Sequence, residues 1–463
     1  MSLRSFLEKK EVKNQIVYVN EEVSPLFEIS SIMKRFDQNG PIFVFEKVKG
    51  QANKVVTNIC GTRERLCAAL DVEPEHLYNQ LVEAWKNPSK PKIVKNSSVK
   101  EDVVEKPKLS KIPILTHFEK DAAPYVTSAI VFARSPDKTV KNVSIHRLQV
   151  LDDTHLAIRL VPRHLFKLWN MAKDAGKDLD VAISIGLHPA VLLAATSPAA
   201  FDVCEFDVAN TLLKNKLSLV ECEHVDALAP AEAEIVLEGR LSSKKEVVEG
   251  SFVDITGTYD VKRGQPVIEI VGMMNREDYI YQALLPSGNE HKLLMGLPYE
   301  AKIWEAVANT VPKVKAANLT TGGCGWLHAV VSIEKQKDGD AKNALAAIFG
   351  AHPSLKHAVV VDVDIDVYNM EEVEWAIATR FQANEDMVII PNARGSTLDP
   401  SADQETGLTT KLGIDATRPL NKPKEKFEPA KIPVSKSVER IFEKLEKEMK
   451  KKRTSKSLED LQF

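Results

Sequence analysis

Glu249 and Asp254 stand five residues apart across a glycine, in Glu249-Gly-Ser-Phe-Val-Asp254. Two carboxylates at that spacing could face one pocket, and an arginine between them would let them share and relay a proton. The same stretch also reads as an ordinary acidic turn before a strand at 255–259. A second segment, Asn142-Val-Ser-Ile-His-Arg147, puts polar residues near both ends of an expected strand, a pattern that a half-exposed strand would also give. Arg163-His164 opens an expected helix, and Glu205 follows a run of small residues at 194–198. An amide oxygen, an imidazole nitrogen and a carboxylate oxygen suit a borderline-hard divalent ion such as Mn²⁺ or Mg²⁺. Spacing alone does not bring Asn142, His164 and Glu205 together. Residues 361–366 read VDVDID, three acids on one strand face that could bind a cation. A strand end running into solvent is the plainer account. The glycine-rich run 320–325 reads as a turn, and no Walker, G-x-G-x-x-G, G-x-S-x-G or H-E-x-x-H motif is present.

These residues need a scaffold, and hydrophobic spacing predicts one. Residues 42–46 (IFVFE) read as a strand, and 63–70 and 74–85 as helices, a small α/β unit. Residues 87–111 are dense in Lys, Pro, Ser and Val and read as an exposed connector, or as an edge strand between loops. From 112 to 298 strand signals dominate: 125–133, 143–151, 156–161, 180–185, 233–239 and 266–273. Helices are expected at 164–174, 189–195 and 209–213. Many short strands with few helices suggest a barrel or a curved mixed sheet. Beyond 299 helices and strands alternate, as in α/β layer packing. At the end Val438, Ile441, Phe442, Leu445 and Met449 fall on one helix face, followed by a basic run at 447–453. The apolar stripe suits a partner subunit, and the basic run suits a solvated helix end.

The chain has 463 residues, 44% hydrophobic and 27% charged, enough for two to four domains and a large core. Lys+Arg at 62 against Asp+Glu at 65 argues against a dedicated nucleic-acid binder. Five cysteines form no CxxC pair, so neither a disulfide framework nor a structural zinc site is expected. The N-terminus is polar and no apolar run approaches a membrane span, so a cytoplasmic protein without a span is expected.

The combination NVSIHRLQV, PAEAEIVLEG, VVEGSFVDITGTY and MNREDYIY resembles the UbiD decarboxylase family. So do PKLSKIPILTHFEKDAAPYVTSAI at 107–130 and GSTLDPSADQETGLTTKLGIDATRPL at 395–420, in the family's order along nearly the whole chain. The resemblance implies a mixed α/β architecture. It has an N-terminal α/β domain with linker (1–110), a split β-barrel flavin-binding domain (111–298), a C-terminal α/β domain (299–433) and a terminal oligomerisation helix (434–463). It implies a non-oxidative carboxy-lyase using prenylated FMN, which a prenylated-FMN synthase would supply. The flavin phosphate would be bridged by Mn²⁺ or another divalent ion, with a monovalent cation such as K⁺ nearby. Asn142, His164 and Glu205 match the metal ligands. Ser144, Ile145, His146, Arg147, Arg163, Thr196 and Ser197 fall with them on cofactor-lining segments.

Arg147, Glu249 and Asp254 match the family's catalytic Glu-Arg-Glu/Asp set, with Asp254 as the proton donor. The second acid is Asp where some members have Glu. A lysine of the ferulic acid decarboxylases is absent from 349–353, and Ser396 replaces an aromatic residue of their substrate loop. These departures point away from a cinnamate-like acid. The small polar loop Arg394-Gly-Ser-Thr397, with Lys411, Arg418, His146 and Arg163, favours a phosphorylated aliphatic acid. The resemblance offers trans-anhydromevalonate 5-phosphate, decarboxylated to isopentenyl phosphate in isoprenoid synthesis. The alternatives are a 4-hydroxybenzoate-type, polyprenylated aromatic acid, or a non-catalytic flavin-binding subunit. A homodimer or higher homo-oligomer is expected.

Overall fold

The computed structural model describes residues 1–430 and 432–459. It divides into two compact units, Met1–Thr417 and Arg418–Phe463.

A nine-stranded antiparallel sheet forms the middle of the first unit. In order across it run Tyr125–Val126, Leu148–Val150, His155–Ile158, Arg263–Asn275, Ile235–Glu249, Leu179–Ile185, Ile130–Arg134 and Lys141–Ile145. Asp102–Val104 pairs separately on Arg263–Asn275. The order contains its own closure. Lys141–Ile145 is one edge and Leu148–Val150 lies next to the other, yet only His146 and Arg147 separate them in sequence. Three virtual bonds of 3.8 Å span at most about 11 Å, so the sheet must curl until its edges nearly meet. The seam of this split barrel is the dipeptide His146-Arg147.

Two strands are far longer than the sequence suggested. Ile235–Glu249 and Arg263–Asn275 extend past the expected 233–239 and 266–273 and pair through most of their length. Their outer halves carry polar residues such as Lys244 and Lys245, which mask the strand pattern. Conversely, the expected strand at 255–259 is a turn. The Gly257 amide donates to the Asp254 carbonyl at 2.8 Å, and only Val253 and Tyr259 bridge.

The N-terminal sheet orders Ile16–Val23, Ile42–Val48, Val55–Thr57 and Tyr281–Ala283. Its fourth strand arrives after the barrel, and Phe43 and Phe45 share one core with Val131, Leu148 and Ile183 of the barrel. The connector at 87–111 is pinned by short strands at Lys92–Ile93 and Asp102–Val104. The helix Pro189–Ala195 is buried at every position and starts on proline after the His188 cap. The first helix of the alternating region expected beyond 299 begins ten residues before that boundary, Asn289–Ala308, with Pro298 inside it.

The C-terminal sheet runs Val314–Leu319, His328–Ile333, His357–Asp362, Leu408–Ala416 and Met387–Arg394, with its central strand parallel to both neighbours. The acids at 361–366 do not run freely into solvent. Asp362 is buried and takes a 2.8 Å bond from Arg380, which also bonds Asp364. A guanidinium fills the role that the alternating acids offered to a cation.

In the second unit the helix Lys436–Glu459 leaves Ile441, Phe442, Leu445 and Met449 about half exposed. The side chains of the basic run, Lys447 and residues 450–453, lie outside the described residues. Among the described residues no helix is long and apolar enough to cross a membrane.

Candidate active site

Arg147, at the barrel seam, gathers three carboxylates. Its Nε and Nη2 donate to Glu249 Oε1 and Oε2 at 3.0 and 2.8 Å, a bidentate pair. Nη1 donates to Asp254 Oδ2 at 2.7 Å, and Nη2 to Asp260 Oδ2 at 2.9 Å. Burial disfavours the guanidinium charge, but Glu249, Asp254 and Asp260 outweigh it and raise the Arg147 pKa. The Arg147 guanidinium also lies 4.7 Å over the Phe252 ring.

Glu249 ends the strand Ile235–Glu249 and is fully buried; Tyr125 Oη donates to it at 3.2 Å. Gly250 follows with φ +106°, a conformation open to glycine, and its amide donates to Gln149 Oε1 at 3.0 Å. The chain then makes a small hairpin, in which Asp260 N–H bonds the Phe252 carbonyl, and this return brings Asp260 to Arg147. Asp254 is the most accessible of the three acids, at 16% side-chain exposure against 0% for Glu249 and 4% for Asp260. It lines a cleft with Thr256, Thr258, Thr397, Leu398 and Gln404, so the loop after Ser396 faces it. His291 joins from the helix Asn289–Ala308: burial lowers its pKa, Asp254 acts to raise it, and Lys292 and Arg147 reinforce the lowering. Sequence reading missed Asp260, Tyr125, Gln149 and His291. A third acid after the turn, Asp260, was the one available signal.

The other candidate residues collect around the strand that precedes the seam dipeptide. The strand Lys141–Ile145 is packed by three helices, His164–Asp174, Pro189–Ala195 and Glu205–Leu212. Their ends bear His164, Thr196 with Ser197, and Glu205. Glu205 is 4% exposed; its Oε2 accepts from Val143 N–H at 2.7 Å, and its Oε1 meets His164 Nδ1 at 3.9 Å. Burial raises the Glu205 pKa despite these neighbours. Asn142, also buried, donates to Ser144 Oγ at 2.9 Å, which meets His146 Nε2 at 2.8 Å. His146 Nδ1 faces the Arg159 carbonyl, and burial holds the ring neutral, its pKa lowered to about 4. Ile145 is half-buried against the core, Thr196 bonds the Leu193 carbonyl, and Ser197 Oγ is buried without a partner. Arg163 is exposed at the start of its helix.

This donor set fits a bound cation. A buried carboxylate with one oxygen facing only an imidazole at 3.9 Å, next to a buried amide, lacks the positive charge that its burial demands. No lysine or arginine pairs with Glu205 among the described residues. No cluster of three or more His, Cys, Asp or Glu suited to a metal occurs among them either; this trio draws its third ligand from an asparagine.

Three family models match successive stretches of the chain between residues 7 and 416. The N-terminal domain of 3-octaprenyl-4-hydroxybenzoate carboxy-lyase, UbiD, covers residues 7–85, its Rift-related domain 92–289 and its C-terminal domain 292–416. The chain belongs to the UbiD family. It is 46% identical over 418 residues to the anhydromevalonate phosphate decarboxylase of Methanothermobacter thermautotrophicus, covering 90% of this chain and 97% of that one. The UbiD-class enzyme HmfF from Pelotomaculum thermopropionicum, solved in complex with FMN, superposes with a TM-score of 0.90 at 43% identity. That match covers 94% of this chain and 98% of the other. An evolved dimeric form of HmfF, in complex with prFMN, matches with a TM-score of 0.87 at 40% identity, over 94% and 99% of the two chains. The Rift-related domain, residues 92–289, holds both the acid cluster at Arg147 and the candidate metal trio.

Proposed function

We propose that the protein is a prenylated-FMN-dependent decarboxylase converting trans-anhydromevalonate 5-phosphate to isopentenyl phosphate and CO₂. The observation that carries this reading is Arg147 clamped by Glu249 and Asp260 while Asp254 opens on the cleft. The near-full-length similarity to an anhydromevalonate phosphate decarboxylase supports the choice of acid.

The cofactor, when bound, supplies an electron sink for the pair released with CO₂. Asn142, His164 and Glu205 would hold a divalent ion, Mn²⁺ for example, against its phosphate. Ser144, Ile145, His146, Thr196 and Ser197 would line it, the free Ser197 hydroxyl facing a phosphate oxygen or a K⁺ ion. A prenylated-FMN synthase would supply it. Glu249 and Asp260 fix the guanidinium plane, so that Arg147 can orient the substrate carboxylate. Asp254 delivers a proton to the carbon that bore that carboxylate, and recovers one from solvent through the cleft. The balance is a carboxylate plus one proton giving the hydrocarbon terminus plus CO₂.

Holoprotein made with a prenylated-flavin supply should release CO₂ from anhydromevalonate phosphate, and not from 4-hydroxybenzoate or its prenylated forms. The reverse preference would move the assignment to aromatic acids. No turnover of any acid by flavin-loaded protein would favour a flavin-binding subunit.

The terminal helix fits a role between copies of the chain. Ile441, Phe442, Leu445 and Met449 are 47–56% exposed on one face, and burying each would contribute roughly 1.5–3 kcal/mol. Deleting residues 434–463 should shift the protein to a smaller species, or to aggregate, in light scattering. An unchanged mass and melting temperature would show that the helix serves its own chain alone.

A further inference from the structure

A second cavity, of about 420 Å³, opens beside the helix Glu28–Arg35 and shares no lining residue with the cleft at Asp254. Its volume lies within the roughly 300–1,000 Å³ of small-molecule sites. Ser30 with Lys34, and Ser31 with Arg35, are successive i, i+4 pairs, so one side of the helix brings two hydroxyls and two cations to the cavity. His117, Phe118 and Leu285 complete the lining.

Two polar side chains in these walls are buried and short of partners. Ser30 and His117 are 3% and 5% exposed, and Ser30 Oγ and both ring nitrogens of His117 lack a hydrogen bond of ordinary geometry. Burial lowers the His117 pKa to about 3, against an opposing pull from the Leu284 carbonyl, so the ring is neutral, with one N–H and one lone pair. That carbonyl already accepts from Thr127 Oγ1 at 2.6 Å, and it can serve only one ring nitrogen. An anion set against the ring gives its N–H an acceptor or, where the carbonyl holds that N–H, lets the second nitrogen take a proton. The two cations are also little committed. Arg35 forms no ion pair among the described residues, and Lys34 stands 3.8 Å from Asp37, whose Oδ1 is taken by the Asn289 N–H at 2.7 Å. Lys411, expected to meet a phosphate, is spent by contrast: it donates to the Pro353 and Leu355 carbonyls, both at 2.6 Å.

We propose that this cavity binds a small phosphate monoester at a site separate from the decarboxylation cleft. Lys34 and Arg35 supply the countercharge, and the Ser30 and Ser31 hydroxyls and the His117 ring supply hydrogen bonds to the phosphate oxygens. Phe118 and Leu285 offer apolar surface to the carbon chain that the phosphate carries. The loop that bears His117 is tied to the acid cluster. Asp121 Oδ2 accepts from the His117 and Phe118 N–H groups at 3.1 and 2.9 Å. Lys120 N–H donates to Tyr259 Oη at 2.9 Å, and Ala122 N–H to the Ser251 carbonyl at 3.0 Å. Ser251 and Tyr259 belong to the hairpin that carries Asp254 and Asp260, so a ligand held at His117 sits one loop away from the reacting acids. The site does not depend on which acid the enzyme decarboxylates.

Calorimetric titration of the flavin-loaded protein with phenyl phosphate and with inorganic phosphate tests this. Phenyl phosphate should bind the wild type more tightly than inorganic phosphate. Lys34 and Arg35 are exposed, so their substitution leaves the core intact; Lys34→Gln and Arg35→Gln should each weaken phenyl phosphate binding about 10- to 100-fold. Phe118→Ala should bring the two ligands to equal affinity. Bound phenyl phosphate should slow amide hydrogen exchange over residues 28–35 and 117–122 in the wild type, and not in Arg35→Gln. Protection at 397–404 in place of those segments would put the ligand in the cleft at Asp254 and overturn the proposal. Equal affinity of the wild type for both ligands would leave the cavity to free phosphate and overturn the monoester. Binding that is absent, or unchanged in both charge variants, would remove the site.

Discussion

Asp254→Asn should cut decarboxylation by about 10²–10⁴-fold while flavin content stays at the wild-type level. The substitution is nearly isosteric. An asparagine Oδ1 can still accept from Arg147 Nη1, and Glu249 and Asp260 hold the other guanidinium nitrogens. The clamp should therefore survive, and only the proposed proton donor at the cleft is lost. Asparagine cannot act as a general acid, so the step in which the new C–H bond forms slows. Steady-state CO₂ release, with deuterium incorporation from heavy water, measures it. Near-normal turnover would remove Asp254 from the proton path and pass the role to a neighbour such as His291.

Glu205→Ala should abolish tight metal binding and most flavin occupancy, with the fold retained. Loss of a partner that merely orients a metal ligand typically costs 10–100-fold in affinity, so loss of a buried ligand should exceed about 100-fold. Alanine also strips the acceptor from the Val143 N–H at 2.7 Å, so Glu205→Gln provides the control: it keeps that acceptor and lacks the charge. If the site binds a cation, both variants should lose metal by elemental analysis and flavin by absorbance, while circular dichroism stays native. Wild-type metal and flavin in both would mean that Glu205 is a structural acid of the strand–helix junction.

Helices whose signals are local are legible in the sequence. Arg63–Leu70, His164–Asp174 and Pro189–Ala195 have the bounds that their apolar spacing predicts. The terminal apolar stripe is equally plain, and ordered motifs along the chain carry the family and its expected site residues. Elements that depend on partners are less so. The strand Leu408–Ala416 alternates polar and apolar residues weakly and is held by pairing on both sides. Helix Asn289–Ala308 hides its first ten residues behind glycine and proline signals.

What the sequence determined by itself is composition at each position: an arginine, acids flanking a glycine, an asparagine, a histidine and a glutamate in a fixed order. Their meeting is a tertiary matter. Arg147 reaches Glu249, Asp254 and Asp260 across separations of 102, 107 and 113 residues. Periodicity reads a window of one or two turns and carries no information at that range. The contact exists because a nine-stranded sheet closes on itself and leaves the His146-Arg147 dipeptide as the link across its seam. A side chain there escapes the in-and-out alternation of a paired strand, so its direction is set by barrel closure and by the hairpin that returns Asp260, not by its neighbours in sequence.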